Sequence, residues 1–289
     1  MTTREQWIAG ARPKTLPAAI APVLVGTAFA GYNAKALNFF LALIVALSLQ
    51  IAVNYANDYS DGTRGTDNDR VGPLRLVGSG VASAESVKRA ALIAFGVAAL
   101  AGLILAARTN WLLLLIGAIS IIAAWTYTGG PKPYGYFALG ELSVFIFFGI
   151  VATLGTYYVH LEELALDVTL AAIGIGSLAC ALLVINNLRD LERDAKVGKL
   201  TLAVRLGDRR TRALYQLLLI TPLIISLALT FDSRYFLISL IALPQIIRIR
   251  TALRAGATGA ALIELLGKTG RIQMIYAVSL SLAALLAQR

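Results

Sequence analysis

The sequence has little charge, a single cysteine and a single histidine. Only 15% of its 289 residues are charged, whereas 58% are hydrophobic and the mean hydropathy is +0.74. Soluble domains carry about 25% charged residues. Cys180 cannot form a disulfide framework alone, and its apolar surroundings indicate a packing role. His160 falls in a predicted outer loop, remote from the polar clusters described below, so we expect no catalytic role for it.

Two further absences narrow the function. The sequence has no GxxxxGK phosphate-binding loop, so nucleotide-driven transport is not expected. The net charge of +10 could suggest a nucleic-acid partner. However, the basic residues are distributed among the loops between apolar runs and do not collect on one soluble face. We expect no nucleic-acid partner, and nothing indicates an obligate protein partner.

Long apolar runs are what the sequence has in abundance. A helix that spans a bilayer needs about 20 mostly apolar residues, and nine runs approach or reach that length. The pattern predicts an all-α, polytopic membrane bundle that forms a single domain over residues 1–289. The predicted spans are 15–33, 37–57, 88–107, 110–128, 135–157, 167–187, 213–230, 235–247 and 271–287. The eighth is short and contains Pro244.

The distribution of basic residues predicts the orientation. With nine spans and a cytoplasmic N-terminus, 22 of the 26 lysines and arginines fall on the cytoplasmic side. Cytoplasmic loops are enriched in these residues. One missed or additional span early in the chain would destroy this bias. The acidic clusters then lie at the cytoplasmic ends of spans two and six.

Two polar clusters end otherwise apolar runs, where carboxylates and amides usually mark a site. In NYANDYSD, residues 54–61, Asn54, Asn57, Asp58 and Asp61 have the spacing of one helix face. In the second cluster, Asn187, Asp190 and Asp194 repeat part of that spacing. RVGPLRL (70–76) also matches KVGKLTL (196–202) at four of seven positions. Together these likenesses indicate two related halves with mirrored sites.

The residue types in these clusters favour a magnesium–diphosphate site. Mg²⁺ prefers oxygen ligands, keeps several waters and bridges one or two carboxylates to substrate phosphates. Neighbouring cations suit phosphate oxygens; they are Arg64, Arg70, Arg75, Lys196 and Lys199. The alternative is that the clusters are helix caps beside orientation-setting charges. A diphosphate held in this way becomes a good leaving group. From an allylic carbon its departure gives a carbocation that an aromatic ring can attack.

At NDYSD (57–61) and DLERDAKVGKLT (190–201) the sequence resembles the two Asp-rich motifs of the UbiA-type intramembrane prenyltransferases. The likeness narrows to the menaquinone-pathway branch that prenylates 1,4-dihydroxy-2-naphthoate. The blocks that carry it are WIAGARPKTLPAAIAPVLVGTA (7–28), NYANDYSDGTRGTDNDRVGPLRLVGSG (54–80), YTGGPKPYGYFALGELSVFIFFG (127–149) and NNLRDLERDAKVGKLTLAVRLGD (186–208). Gly65 stands where the wider superfamily has another Asp, and Asp67 follows it.

The resemblance implies transfer of a polyprenyl group from its diphosphate to the naphthoate, with loss of CO₂, giving demethylmenaquinol in a bacterial cytoplasmic membrane. It implies Mg²⁺ as cofactor, with Asn57, Asp58, Asp61, Asp190 and Asp194 as the metal set. Asp61, Asp190 and Asp194 would be catalytic, and Asp58 a helper. The remaining expected substrate-binding residues are Asn54, Arg64, Asp67, Arg70, Lys132, Tyr134, Glu141, Asn187, Lys196 and Lys199.

Several assignments stay open at this stage. Lys132 suits either the naphthoate carboxylate or the diphosphate. Glu141 suits either a ring hydroxyl or a structural partner. Arg12 and Lys14 suit either a phosphate or the membrane interface. Other aromatic acceptors (4-hydroxybenzoate, homogentisate or haem) and an ion transporter are the competing functions. The clusters gather on one side of the predicted membrane, which favours chemistry on an amphiphile over an ion path.

Overall fold

The fold is known from a computed structural model that describes residues 2–66 and 74–288. Every regular element in these two ranges is helical, which confirms the all-α prediction. The helices are α1 (Arg4–Gly10), α2 (Pro17–Ala30), α3 (Ala36–Thr63), α4 (Ala84–Arg108), α5 (Leu112–Thr126), α6 (Gly140–Val144), α7 (Ala152–Leu161), α8 (Leu166–Lys196), α9 (Leu202–Leu229), α10 (Leu243–Arg254) and α11 (Ala260–Ala287). A π-helical segment, Phe145–Val151, joins α6 to α7, and a 3₁₀ segment, Arg234–Ala242, leads into α10.

Seven of these helical stretches are long and apolar enough to cross a membrane, within the part of the chain that the structure describes. An eighth is counted if the bent pair Arg4–Thr15 and Pro17–Asn33, which meet at 53°, forms one span. Helix α5 has only 15 residues and occupies the place of the fourth predicted span. The chain is therefore a multi-pass membrane protein, while the count of nine and the orientation stay predictions.

Several helices extend beyond the predicted membrane spans, into polar sequence. Helix α9 begins at Leu202 and not at 213, and it contains a kink at Gly207. Helix α11 begins at Ala260 and not at 271, and α3 runs to Thr63 and not to 57. Hydropathy detects only the apolar middle of each helix, because charged residues at the ends reduce the average without stopping the helix.

Helix α8 forms the centre of the bundle. Of its most apolar 18 residues, 78% are buried, against 28–50% for the other candidate spans. It packs against α9, α11, α2 and the Phe145–Val151 segment, whereas α3 packs mainly against α4. Large apolar side chains such as Ile93, Leu100 and Leu103 of α4 face outward, as expected for a lipid-facing surface.

The two helices that carry the polar clusters end in the same way. A shift of 133 residues places Asn54 on Asn187, Asn57 on Asp190 and Asp61 on Asp194. Under that shift the last residues of α3 and α8 also coincide, and each helix is followed by a glycine with φ 73°, Gly65 or Gly198. Since a left-handed glycine commonly ends a helix, the matching ends support the two related halves inferred from the sequence.

Candidate functional site

The C-terminal ends of α3 and α8 bring the two clusters to one polar pocket of about 80 Å³. Asn57 and Asp61 reach it from α3, whereas Asn187 and Asp190 reach it from α8. Burial is nearly complete, since Asp61 is 3% exposed and Asp190 is 8% exposed. The two clusters therefore lie at one pocket.

Cations outnumber carboxylates in the lining of this pocket. Among the described lining residues, four are cationic, Arg12, Arg75, Arg193 and Lys199, whereas two are carboxylates, Asp61 and Asp190. If all six are ionised, the lining carries two positive charges in excess (4 − 2). A pocket of this kind suits an anion with several oxygens, and a diphosphate fits that description.

Asp61 is held by two neighbours from other parts of the chain. The Tyr136 hydroxyl donates to Asp61 Oδ1 at 2.9 Å, and Lys199 Nζ lies 3.7 Å from Oδ2. The ammonium of Lys199 also lies 5.1 Å from the centre of the Tyr136 ring. Burial, and then the charge of Asp61, raise the pKa of Tyr136 to about 12, so its hydroxyl stays protonated as a donor near neutral pH.

The turn after α5 fixes the other face of the pocket. The Thr128 hydroxyl donates to Asn57 Oδ1 at 2.7 Å. Arg64 donates to the carbonyl oxygens of Thr128 and Gly130 and lies over the Tyr136 ring, 5.7 Å from its centre. Arg64 therefore stabilises the turn that carries Thr128.

The second cluster has its own pairing. Arg189 holds both oxygens of Asp190, at 2.8 and 2.6 Å, and Arg193 lies 3.7 Å from Asp194. Asn187 donates to Glu141 Oε1 at 3.0 Å, and Glu141 is itself buried. This contact favours the structural alternative for Glu141, which anchors an amide at the edge of the pocket.

Asp58 faces a different environment from Asp61. It is fully buried, and its two oxygens accept the backbone N–H groups of Leu76, at 2.8 Å, and Val77, at 3.0 Å. Asp58 is also absent from the described lining of the pocket. The geometry therefore favours a role for Asp58 in holding the loop after α3, and we do not carry it into the proposed metal set.

The other predicted substrate-binding residues fall into three groups. Asn54 and Tyr134 line an adjoining cavity; Asn54 donates to the carbonyl of Ala11, and Tyr134 donates to that of Ala123. Lys132 and Lys196 are exposed and lie outside the described lining of both spaces. Asp67 and Arg70 lie outside the described residues.

The polar pocket continues into an apolar cavity of about 810 Å³ between α2, α3, α5 and the Gly140–Leu161 span. Six residues line both spaces; they are Arg12, Asn57, Arg75, Tyr127, Leu183 and Asn186. The site is thus amphiphilic, with charged and amide groups at one end and a long hydrocarbon-like space behind them. Such a site suits a ligand with an anionic head and an apolar tail.

Oxygen donors from both helices fit a divalent cation that keeps part of its water. Within the described ranges, no three His, Cys, Asp or Glu side chains lie close enough to form a metal site by themselves. Mg²⁺ commonly uses only one or two carboxylates, together with waters and phosphate oxygens. The donor set therefore fits Mg²⁺ delivered with a phosphate ligand better than a metal enclosed by protein alone.

Sequence reasoning missed Thr128 and left Arg12 undecided. Thr128 belongs to a turn, and no spacing rule relates it to Asn57, which precedes it by 71 residues. Arg12 has a left-handed backbone, φ 54°, and its guanidinium donates to the Asn54 carbonyl at 3.4 Å. A strained conformation at a non-glycine residue often accompanies a functional site.

Comparisons with known proteins agree with this arrangement. A family model described as the UbiA prenyltransferase family matches residues 19–266. The chain is 50% identical over 285 residues to the 1,4-dihydroxy-2-naphthoate octaprenyltransferase of Mycobacterium tuberculosis, with 97% of each chain covered. It is 44% identical over 229 residues to the Escherichia coli enzyme of the same name, covering 76% of this chain and 74% of that one.

Solved structures share the fold at low sequence identity. A UbiA homologue from Archaeoglobus fulgidus bound to GPP and Mg²⁺ aligns with a TM-score of 0.69 at 14% identity, covering 97% of this chain and 99% of that one. An apo UbiA homologue from Aeropyrum pernix K1 aligns with a TM-score of 0.71 at 16% identity, covering 96% and 98%. At these identities the likeness concerns the fold alone.

Proposed function

Because the chain belongs to the UbiA prenyltransferase family, we propose that it transfers a polyprenyl group from polyprenyl diphosphate to 1,4-dihydroxy-2-naphthoate. The products are a demethylmenaquinol, CO₂ and diphosphate, in menaquinone biosynthesis. The observation that carries the proposal is the cation-rich polar pocket beside the long apolar cavity, with which it shares six lining residues. The curated relatives named for this reaction support the choice of acceptor.

The polar pocket is proposed to hold the diphosphate. Lys199, Arg12 and Arg193 supply positive charge towards its oxygens, while Asn57, Asp61 and Asp190, which line the pocket, form the core of the proposed metal set. Asp194 is retained in the set because the shift of 133 residues places Asp61 on it, although it lies outside the described lining. Bound Mg²⁺ would neutralise charge on the diphosphate and so improve it as a leaving group. The allylic tail then extends into the apolar cavity, which excludes water from the reacting carbon.

The reaction balances as an electrophilic substitution. The C–O bond to the diphosphate breaks, and its electron pair leaves with the diphosphate. The ring carbon that bears the carboxylate then donates a pair to the allylic cation and forms the new C–C bond. The bond between the ring and its carboxylate breaks, CO₂ departs, and that electron pair restores the aromatic ring. The residues of the chain contribute orientation, charge complementarity and a dry cavity.

The test uses the purified full chain in bilayer vesicles, with carboxyl-labelled 1,4-dihydroxy-2-naphthoate, polyprenyl diphosphate and Mg²⁺ or excess chelator. We expect labelled CO₂ and a prenylated product in equal amounts, with neither formed in chelator. Activity with 4-hydroxybenzoate or homogentisate instead would overturn the acceptor. Failure with every aromatic acceptor would overturn the proposed transfer itself. We further propose that the protein resides in a bacterial cytoplasmic membrane, with this pocket on the cytoplasmic side.

A further inference from the structure

The apolar cavity has a length that can be compared with an isoprenoid tail, and this comparison rests on the proposed function. Its lining on α3 runs from Asn57 back to Ala42, 15 residues, or about 22 Å at 1.5 Å per helical residue. Three backbone bonds of an extended chain span about 3.5 Å, so the four bonds of one isoprene unit span roughly 5 Å. The cavity therefore takes about four units of an extended tail.

Three glycines line the far half of this cavity, Gly102, Gly117 and Gly155. An added Cβ at Gly102 would already lie 4.0 Å from Val45, so the open positions are Gly117 and Gly155. Gly117 of α5 lies ten residues before Tyr127 at the polar end, or about 15 Å away along the helix axis. Gly155 of α7 lies twelve residues beyond Ser143, or at most about 18 Å by the same measure, since seven of the residues between them are π-helical. Both positions correspond to the third or fourth isoprene unit from the reacting carbon.

Helix packing does not account for these two glycines. Glycine in a membrane helix usually permits close contact with a neighbouring helix, as at Gly149, where an added Cβ would lie 2.5 Å from the Cα of Gly176. An added Cβ at Gly117 or Gly155 would meet no atom within 4 Å. Both glycines therefore border open space within the cavity lining.

The two glycines also belong to different parts of the bundle. Helix α5 packs against α3 and α4, whereas α7 packs against α2, α8 and α3. Gly117 and Gly155 are half-buried, so the cavity comes close to the lipid-facing surface near them. A side chain added at either position would extend into the space that the tail must cross or leave.

We propose that Gly117 and Gly155 set the length of isoprenoid donor that the protein accepts, by keeping the far half of the cavity open for tails longer than about three units. A two-unit tail, about 10 Å long, ends before it reaches them, and a three-unit tail ends level with Gly117 and passes neither glycine. An eight-unit tail must pass both glycines before the rest of it enters the lipid. The pair determines specificity and takes no part in the chemistry at the polar end.

The test compares donors within each variant. Gly117→Leu, Gly155→Leu and the double variant are assayed with farnesyl diphosphate (three units) and octaprenyl diphosphate (eight units), and kcat/KM is measured for each. The control is Gly96→Leu, because Gly96 is an exposed helical glycine of α4 that also has open space around it but lies outside the cavity lining. We expect the octaprenyl-to-farnesyl ratio to fall at least tenfold in the double variant and to stay unchanged in the control.

An unchanged ratio in the double variant, or an equal fall in the control, overturns the proposal. If a leucine variant loses activity with both donors, the smaller Gly117→Val and Gly155→Val variants are used in its place. Their octaprenyl-to-farnesyl ratio of kcat/KM then tests the proposal. Wild-type protein that prenylates no aromatic acceptor with either donor overturns the proposed function and this inference together. Wild-type activity with an unchanged ratio in the variants overturns the inference alone.

Discussion

Replacing Asp58 by alanine should reduce the stability of the folded protein, whereas replacing Asp61 should abolish turnover. Asp58 is fully buried and accepts two backbone N–H groups, from Leu76 and Val77. A hydrogen bond to a charged acceptor contributes about 1.5–3 kcal/mol. Removing the acceptor takes this partner from the buried N–H of Leu76 and from the part-buried N–H of Val77. Asp58→Ala should therefore reduce the free energy of unfolding by roughly 3–6 kcal/mol.

The assay is thermal unfolding of the purified protein in detergent, followed by intrinsic fluorescence. For a chain of this size 1 kcal/mol corresponds to about 1.6 °C, so Asp58→Ala should reduce Tm by about 5 °C or more. Asp208→Ala is the matched control, because Asp208 is exposed and holds a helical ion pair with Arg212 at 2.7 Å. Such pairs contribute only about 0.3–0.5 kcal/mol.

Turnover at low temperature separates the two roles. Folded Asp58→Ala protein should retain activity within a few-fold of wild type, since the carboxylate does not line the pocket. An unchanged Tm together with lost turnover would refute this reasoning and return Asp58 to the metal set. If Tm and turnover both fall, the Mg²⁺ dependence of the residual turnover is measured. A raised Mg²⁺ requirement would also return Asp58 to the metal set.

Three further predictions concern contacts in the pocket. Tyr136→Phe removes the hydroxyl that donates to Asp61 but keeps the ring. Initial rates should show that turnover falls about tenfold, which corresponds to the free energy of one charge-assisted hydrogen bond. Because the pKa of Tyr136 is raised to about 12, its hydroxyl stays protonated below that pH. The pH–rate profile between pH 6 and 9 should therefore have the same shape in wild type and in Tyr136→Phe. A rise or fall in rate with pH that is present in wild type and absent from the variant would contradict this. Glu141→Gln keeps an oxygen for Asn187 and should retain most activity, whereas Glu141→Leu should reduce it; equal losses would instead implicate the charge of Glu141. Thr128→Val should raise the Mg²⁺ concentration for half-maximal rate, with Thr128→Ser as the control that keeps the hydroxyl.

Hydropathy and spacing were sufficient for the bundle and for the two clusters, because both depend on residues close together in the sequence. The i, i+3, i+4, i+7 spacing placed Asn54, Asn57, Asp58 and Asp61 on one side of a helix, and α3 does run through all of them. Spacing alone could not separate Asp58 from Asp61. Their directions differ by only about 60° around the helix axis, and what each side chain meets is decided elsewhere in the chain.

Those deciding partners are distant in sequence. Leu76 and Val77 come from the loop that returns towards α3, Thr128 and Tyr136 from the segment after α5, and Lys199 from the loop after α8. Loop residues have no sequence periodicity from which their contacts could be predicted. The length of the apolar cavity likewise depends on how five or more helices pack, so the prenyl chain length could not be predicted from any local stretch.

The central claim is that carboxylates from the two related halves act together in one diphosphate site. The most direct test measures Mg²⁺-dependent formation of prenylated naphthoate by Asp61→Asn and Asp190→Asn in the same bilayer vesicles, with Asp232→Asn, an exposed loop aspartate, as control. The account predicts that each pocket variant loses turnover by a hundredfold or more while it still inserts, and that the control is unaffected. Wild-type-like rates in either pocket variant would contradict it.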